Sequence, residues 1–466
     1  MKRFWLVLLS LGLIVAFSTS AMAVDVKFNG EYYAAGLYMD RTNLAKGNGP
    51  STAFYYQRLR LGTQFVVSPG LTLTTRADIM ERAWGAARSN TNTALDVLSA
   101  GSRNENENIA FDLVYVNYVS PVGLFQAGYV IDGAWGTVFG DNSAPSGRIM
   151  YLLAKGPIQA AIMAGKVSTT NVPGFGITAG ENSRGAFGNA AGIDADKDNN
   201  FYTAYVKYIG KNFEGGFLEK YIRGAAYRNV LGAAVQDSGA TINGYTSILY
   251  GKAKFGVVSM QAEFAYLWGD AGKWEGNQVP AAFGGPMVDS KFAQMSAFLD
   301  VTADLGKFYA GGTFAYVSGD DFSTNDKSEG GNLSGGLDYN PCLIMFNTDL
   351  SYWTGTQAGY ANTTANGSVL ANAYFMQLRA GVRPVDKLDI MMSGSYAVAD
   401  KTPRATWESR KYGYEVDVTG TYKITNNLSY MLGGGYFFTG DYFKGAAAAN
   451  EIENNYMLLN KLTLTF

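Results

Sequence analysis

The stretch that decides the fold is residues 411–424, KYGYEVDVTGTYKI. Successive side chains of a β-strand point to opposite faces of the sheet, so residues two apart share a face. Here one parity is mostly apolar or aromatic and the other is mostly charged or polar. The apolar parity consists of Tyr412, Tyr414, Val416, Val418, Gly420, Tyr422 and Ile424. This pattern predicts a strand with one face toward lipid and the other toward water.

The same alternation recurs at residues 58–65, 257–268 and 388–398. A soluble β-sandwich also alternates, so the length of the runs has to separate the two classes. Many runs in this chain have about 10 to 14 residues, whereas an average soluble strand has about 5–6 and a tilted membrane strand needs about 9–11. Tyr412 and Tyr422 lie near the ends of one apolar face, where the aromatic girdles of membrane barrels are expected.

Composition excludes several kinds of chemistry. The chain of 466 residues has no His and one Cys, which rules out Ser-His-Asp catalysis, His-ligated zinc or haem, and disulfides within the chain. With only 16% charged residues and a net charge of −2, nothing predicts nucleic-acid binding. We therefore expect a protein that is not an enzyme and holds no cofactor.

Residues 1–23 have the organisation of a secretory signal peptide: Lys2 and Arg3, an apolar run, and the small-residue site Ala21-Met22-Ala23. After Val24 no stretch of 18 apolar residues follows, which excludes a chain that crosses a membrane with helices. We predict an exported protein with one domain, an all-β transmembrane barrel over residues 24–466.

Short turns alternate with long polar connections along this domain. The predicted turns are at residues 68–70, 120–123, 155–157, 210–212, 304–306, 340–341, 383–386 and 425–427. Short turns at one rim, taken as periplasmic, and long loops at the other, extracellular rim are typical of outer-membrane barrels. Counting hairpins predicts about 20 antiparallel up-and-down strands, with 16 or 18 as alternatives because residues 148–167 and 333–353 are weakly patterned.

The closing residues 456–466, YMLLNKLTLTF, resemble the last strand of Gram-negative outer-membrane proteins, with a terminal aromatic residue and apolar residues at alternate positions. Asn460 departs from that pattern. In that family the strand is recognised by the outer-membrane assembly machinery. The resemblance therefore implies that Phe466 is part of an assembly signal and that the protein resides in the outer membrane, in contact with its lipid.

Within that group the chain resembles the porins, and more loosely the porin-like proteins of metal-reducing bacteria. Residues 128–141 are similar to the stretch that leads into the third porin loop, which folds inward and narrows the pore. The resemblance implies a constriction with Asp132, Asp141 and Arg148 as candidate residues. The resemblance also makes a homotrimer one possible oligomeric state.

Parity predicts which charged side chains line the pore. The candidates are Arg58, Arg60, Arg76, Asp78, Arg82, Glu263, Arg379, Arg383, Glu415 and Asp417. Basic residues facing acidic ones would create a transverse field that sorts solutes by charge. The alternative is that these groups pair with one another in a wet interior.

We therefore predict a water-filled channel for passive diffusion of small hydrophilic solutes or ions. An alternative is a barrel that encloses a periplasmic or extracellular partner, such as an electron-transfer protein. An outer-membrane hydrolase and a secreted adhesin are further alternatives. No metal site is predicted: residues 194–200 have alternating Asp side chains but lack the Glu and Gly of a Ca²⁺ loop, and Cys342 is expected to pack at a periplasmic turn.

Overall fold

The computed structural model describes residues 24–85, 109–168, 199–228, 239–275, 288–355, 358–360, 369–407 and 409–466. The predicted signal peptide, residues 1–23, lies outside this part of the chain, as do Asp194, Asp196 and Asp198 of the candidate Ca²⁺ run. Among the described residues no helix is both long enough and apolar enough to cross a bilayer.

Long strands make up most of the described chain. They are β1 Asp25–Met39, β2 Thr52–Ser68, β3 Leu71–Ala83, β4 Ile109–Ser120, β5 Gly123–Ile131, β6 Pro145–Lys155, β7 Ile158–Ser168, β8 Asn199–Ile209, β9 Phe213–Arg228, β10 Gly239–Phe255, β11 Val258–Glu275, β12 Ser290–Asp304, β13 Phe308–Val317, β14 Lys327–Ser328, β15 Ala373–Val385, β16 Leu388–Ala399, β17 Lys411–Lys423, β18 Leu428–Thr439 and β19 Asn455–Thr465. A helix, α1, spans Thr348–Thr354, and a 3-10 helix spans Asp441–Lys444.

The sheet closes on itself. Each long strand pairs antiparallel with its neighbours in sequence, and β1 pairs with both β2 and β19, in a register that runs from Glu31 opposite Thr465 to Met39 opposite Met457. The two-residue β14 lies parallel to β12 and is not part of the wall. The described chain therefore forms a closed antiparallel barrel of 18 strands, and the predicted fold class is confirmed.

Eighteen is one of the strand numbers that the sequence left open. The weakly patterned residues 148–167 do form a hairpin, β6–β7, whereas residues 333–353 form no hairpin and contain α1. Instead they lie inside the barrel, with Ile344, Phe346 and Leu350 buried. The turn predicted at Asn340-Pro341 is wrong, and Cys342 lies inside the barrel beside Glu415 and Asp417 of β17 instead of at a periplasmic turn.

The two rims differ as predicted. At one rim the eight connections, all within the described residues, are two to four residues long. Gly156 and Gly256 open two-residue turns with φ of 59° and 60°, a conformation that hairpin turns of this length require and that costs glycine little. The other ends of the strands form the opposite rim, from which the longer connections start.

The outer surface carries exposed apolar and aromatic side chains. Tyr202, Tyr221, Tyr245 and Trp268 form a row across β8–β11, with ring centroids 6.1, 4.9 and 4.5 Å apart. Charged residues also occur on this face: Glu219 accepts a hydrogen bond from Ser247 (2.6 Å), whose hydroxyl accepts one from Trp268. The inner parity of the strands therefore does not hold every charged side chain.

Tyr412, expected on the lipid face, is buried inside the barrel. The cause is an irregularity in the ladder between β16 and β17, where Gly413 has a φ of +136°. Residues after this point keep the predicted parity, and Tyr414 and Tyr422 are exposed on the outer surface. One irregular residue therefore reverses the direction of the side chain that precedes it.

Candidate functional site

Two segments fold into the lumen from the long-loop rim. Loop A, residues 132–144, connects β5 to β6. Segment B, residues 318–372, connects β13 to β15 and is described at 318–355, 358–360 and 369–372. The segments contact each other, since Gly336 donates its amide N–H to the carbonyl of Phe139 (2.7 Å) and Ser143 donates its hydroxyl to Asp338 (2.9 Å).

Loop A is held to the wall by Glu263 of β11. The carboxylate accepts the backbone N–H of Thr137 at 2.8 Å and the Thr137 hydroxyl at 2.9 Å. Glycine permits this approach: a Cβ at Gly136 or Gly140 would lie 2.4 or 2.5 Å from the Glu263 carboxylate oxygens. Charged acceptors make the stronger protein hydrogen bonds, so Glu263 is a firm attachment point for the loop.

Aromatic packing fixes the rest of loop A. The ring of Trp135 lies 4.7 Å from Tyr205 and 5.2 Å from Tyr250 between centroids, on the β8 and β10 walls. Phe139 stacks on Phe298 of β12 at 4.9 Å. Such pairs add about 0.5–1.5 kcal/mol each beyond the burial of their apolar area. Loop A therefore lies across the lumen from β5 toward β12.

Segment B is attached to the opposite wall by polar groups of β15 and β17. Glu415 accepts the backbone N–H groups of Ile344 and Met345, both at 2.6 Å. Asp417 accepts the N–H of Leu343 at 3.3 Å, and the Gln377 amide donates to the carbonyl of Pro341 at 2.7 Å. These contacts satisfy backbone groups that would otherwise be buried without partners.

Apolar burial completes the attachment of segment B. The buried cluster combines its residues with inner-wall residues of β1, β12, β13 and β15–β19, and includes Phe346, Leu350, Phe375, Tyr412 and Phe437. Among the described residues, β3–β9 contribute no buried member. The cluster therefore fills the arc from β12 through β19 to β1. Loop A packs on β8 and β10–β12, so the wall that faces the remaining lumen lies within β2–β9.

The wall of β2–β4 carries arginines that are each paired with carboxylates. Arg60 makes two hydrogen bonds of 2.7 Å to Asp78, and Arg76 binds Asp112 at 3.0 and 2.5 Å. Their side chains are 26% and 15% exposed inside the barrel, so both pairs reach the aqueous lumen.

Arg58 belongs to the same wall and has several acidic neighbours. Its guanidinium lies 3.4 Å from Glu81 and 3.7 Å from Glu31, and 5.0 Å from the centroid of the Tyr33 ring. Three arginines and four carboxylates thus alternate along the wall. A basic wall facing an acidic one is therefore not what the structure shows, because opposite charges meet within one wall.

The candidate constriction residues are only partly brought together. Arg148 lies 3.3 Å from Asp132 and donates to Gln126 at 3.1 Å, and Lys220 of β9 lies 2.8 Å from Asp132. Asp141 is placed apart, near Asp338, and burial raises the pKa of its carboxyl. Of the candidate constriction residues, the structure therefore brings Asp132 and Arg148 together beside β5, β6 and β9, with Lys220, which sequence reasoning missed.

Several predicted pore-lining residues take other positions. Glu263, Glu415 and Asp417 do face inward, but with 7%, 0% and 3% exposure they are covered by the inner segments they hold. Arg379 pairs with Asp300 at 2.8 Å. Arg383 pairs with Asp304 and Asp389 at 3.0 and 3.1 Å, at the short-turn rim.

Arg82 faces outward, contrary to its predicted position in the lumen. The β2–β3 register shifts between Gln57 and Leu59, and Met80 has a φ of +52°. Arg82 is therefore opposite Gln57, whose side chain accepts from Trp84 at 3.0 Å on the outer surface. Glu81 takes the inward place beside Arg58.

Asp112, the partner of Arg76, was also missed. A signal for it existed, because it is the only charged residue of β4 and a lone charge in a membrane strand belongs on the water-facing side.

Solved structures with a similar fold are outer-membrane porins of Gram-negative bacteria. OccK8 (OprE) of Pseudomonas aeruginosa is 11% identical with a TM-score of 0.51, and the match covers 95% of this chain and 98% of that one. OpdK of the same organism is 12% identical with a TM-score of 0.48 over 94% and 99%, and the channel DcaP of Acinetobacter baumannii is 12% identical with a TM-score of 0.44 over 96% and 99%. No family model and no curated protein matches the chain. At these identities the likeness shows the fold.

Proposed function

We propose that this chain is an outer-membrane channel of the porin type, through which small hydrophilic solutes or ions diffuse passively. The observation that carries the proposal is the closed 18-stranded barrel whose apolar filling stops at one arc, while paired charges stay partly exposed on the other. Barrels with 16 to 18 strands are wide enough to enclose water. A polar wall on a water-filled passage lets polar solutes cross without entering lipid.

The passage runs between the β2–β9 wall and the two inner segments. Its narrowing lies where Asp132, Arg148 and Lys220 meet beside loop A. Since the wall alternates Arg60 and Arg76 with their carboxylate partners, its net field is weak. We infer a channel with modest ion preference that favours small polar or zwitterionic solutes.

Planar bilayers test this proposal. Purified protein should insert in discrete conductance steps, and liposomes that contain it should swell in isotonic solutions of small sugars or amino acids. The heat-unfolded chain at equal concentration is the control. Folded protein that stays silent in both assays at high concentration contradicts the proposal.

The alternative of a sheath around a partner protein is less well supported. Segment B and its buried cluster occupy the arc of the lumen from β12 to β1, so the chain itself fills space that an enclosed partner needs. A partner of this kind would be recovered with the barrel from native membranes, whereas the channel proposal expects conduction by the barrel alone. The homotrimer stays a prediction, to be measured by the mass of the detergent-solubilised particle.

A further inference from the structure

Three potential metal ligands meet where segment B touches the wall. Cys342 belongs to segment B, and Glu415 and Asp417 are alternate residues of β17, which places both carboxylates on one face. One ligand atom of each residue lies within 4.8 Å of the others, and all three residues are buried. The hydroxyl of Ser395 lies beside the thiol.

The side chains of Glu415 and Asp417 contact each other, and no cationic side chain among the described residues offsets them. Among the residues that the structure describes, neither carboxylate forms an ion pair with Lys or Arg. Glu415 uses each oxygen for one backbone N–H, but Oδ1 of Asp417 is buried and accepts no hydrogen bond. A buried carboxylate oxygen without a partner is costly, so this atom points to a missing positively charged group.

Both carboxylates approach the backbone closely at Gly435 of β18. A Cβ at this position would lie 2.6 Å from Asp417 Oδ1 and 3.5 Å from Glu415 Oε1. The unpartnered oxygen and one Glu415 oxygen therefore converge next to a residue that has no side chain. Any larger residue there would occupy the volume toward which both carboxylates are directed.

We propose that Cys342, Glu415 and Asp417 together bind one divalent cation, and that Zn²⁺ is the ion that fits best. Zinc accepts thiolate and carboxylate ligands in one small coordination shell, whereas Mg²⁺ and Ca²⁺ prefer oxygen ligands alone. Binding replaces the thiol proton of Cys342, which leaves as H⁺, and the cation offsets the buried carboxylates. The ion would join segment B to β17, and this role is independent of whether the barrel conducts.

Metal uptake by the refolded full chain tests the site. The chain is unfolded in urea with a chelator and refolded in detergent with Zn²⁺ or Co²⁺, and bound metal is counted by elemental analysis after gel filtration. We expect one Zn²⁺ per chain and, with Co²⁺, the charge-transfer absorption of a thiolate ligand. Cys342→Ser should abolish that absorption, and Asp417→Asn should weaken metal affinity by at least about 10–100-fold, the loss typical even of outer-shell partners.

Asp386→Asn is the matched control, because this carboxylate lies exposed at a short turn and should leave uptake unchanged. Heat-modifiable mobility in gel electrophoresis establishes that each variant forms the barrel. If Asp417→Asn does not fold, the Co²⁺ spectrum of Cys342→Ser decides. Folded wild-type protein that takes up no Zn²⁺, or a Cys342→Ser variant that binds as much as wild type with an unchanged spectrum, overturns the proposal.

Discussion

Replacing Glu263 with Ala is expected to release loop A from the barrel wall. The substitution removes both hydrogen bonds that the carboxylate makes to Thr137, one to the backbone N–H and one to the hydroxyl. It also leaves the Thr137 N–H without a partner in a position that is buried. The contacts of Trp135 and Phe139 with the wall are untouched, so the change acts on the attachment of the loop and not on its packing.

The size of the effect follows from the two contacts. A hydrogen bond of this kind contributes about 1.5 kcal/mol, where the ranges for neutral and charged acceptors meet, so the pair is worth about 3 kcal/mol. At about 1.4 kcal/mol for each factor of ten, the ratio of released to docked loop should rise about 150-fold. Thr137→Val keeps the backbone contact to Glu263 but loses both hydrogen bonds of the hydroxyl, to Glu263 and from the Phe139 N–H (3.2 Å), together about 2 kcal/mol, so its effect should be about 30-fold.

Single-channel recording measures this change. Glu263→Ala should show larger conductance with frequent transitions between levels, Thr137→Val an intermediate trace, and Asp386→Asn the wild-type trace. If the Glu263→Ala barrel folds and conducts with the same amplitude and noise as wild type, loop A is not held by this carboxylate and the reasoning is refuted.

Three other predictions concern the wall, the rim and the closing strand. Arg60→Gln removes the cation closest to Asp78 and leaves only the more distant Arg58 (3.9 Å), so the reversal potential in a salt gradient should shift toward cation selectivity, and adding Asp78→Asn should reverse the shift; an unchanged potential in both would place this pair outside the ion path. At the long-loop rim, hydrogen bonds from Ser323 and Lys401 hold the pKa of Asp321 below its usual 3.8, so the stabilisation is present above about pH 4 and is lost as the pH falls further. Proteolysis of segment B should therefore accelerate in acid, and Asp321→Asn should show the faster cleavage already at neutral pH. Equal cleavage rates for the variant and the wild type at neutral pH would show that the contacts of Asp321 do not hold segment B. Phe466→Ala should lower the amount of folded barrel in the outer membrane at unchanged synthesis, as measured by heat-modifiable protein in membrane fractions, and normal amounts would remove Phe466 from the assembly signal.

Strand periodicity predicted the barrel because lipid on one side and water on the other act on every residue of every strand. That constraint is local, so it can be found in the sequence alone. It fails where the backbone departs from regular pleating. The irregularity at Gly413 turns the side chain of Tyr412 inward. The register shift near Met80 places Glu81 in the lumen and turns Arg82 to the outer surface. Neither irregularity has a hydrophobic pattern of its own, so sequence periodicity could not reveal it.

An inward loop was expected only from the resemblance of residues 128–141, and segment B was beyond sequence reasoning for a different physical reason. Parity correctly placed Glu263 and Glu415 on the inner face, but it contains no information about what covers that face. Thr137 and Glu263 are 126 residues apart, and Ile344 and Glu415 are 71 apart. Contacts over such separations depend on the completed barrel, and the apolar residues 342–346 read as one more membrane strand.

The one-sided filling of the lumen has a mechanical consequence. From β12 to β19 the wall is packed on its inner surface by segment B, so that arc is a double layer, whereas the part of the β2–β9 arc that neither inner segment covers is a single sheet. Opening the double layer requires breaking buried apolar contacts as well as ladder hydrogen bonds, so amide exchange should be slowest there. Thermal fluctuations of the barrel wall are then concentrated in the single-layered arc. The width of the lumen therefore varies mainly through bending of the wall that carries the arginines.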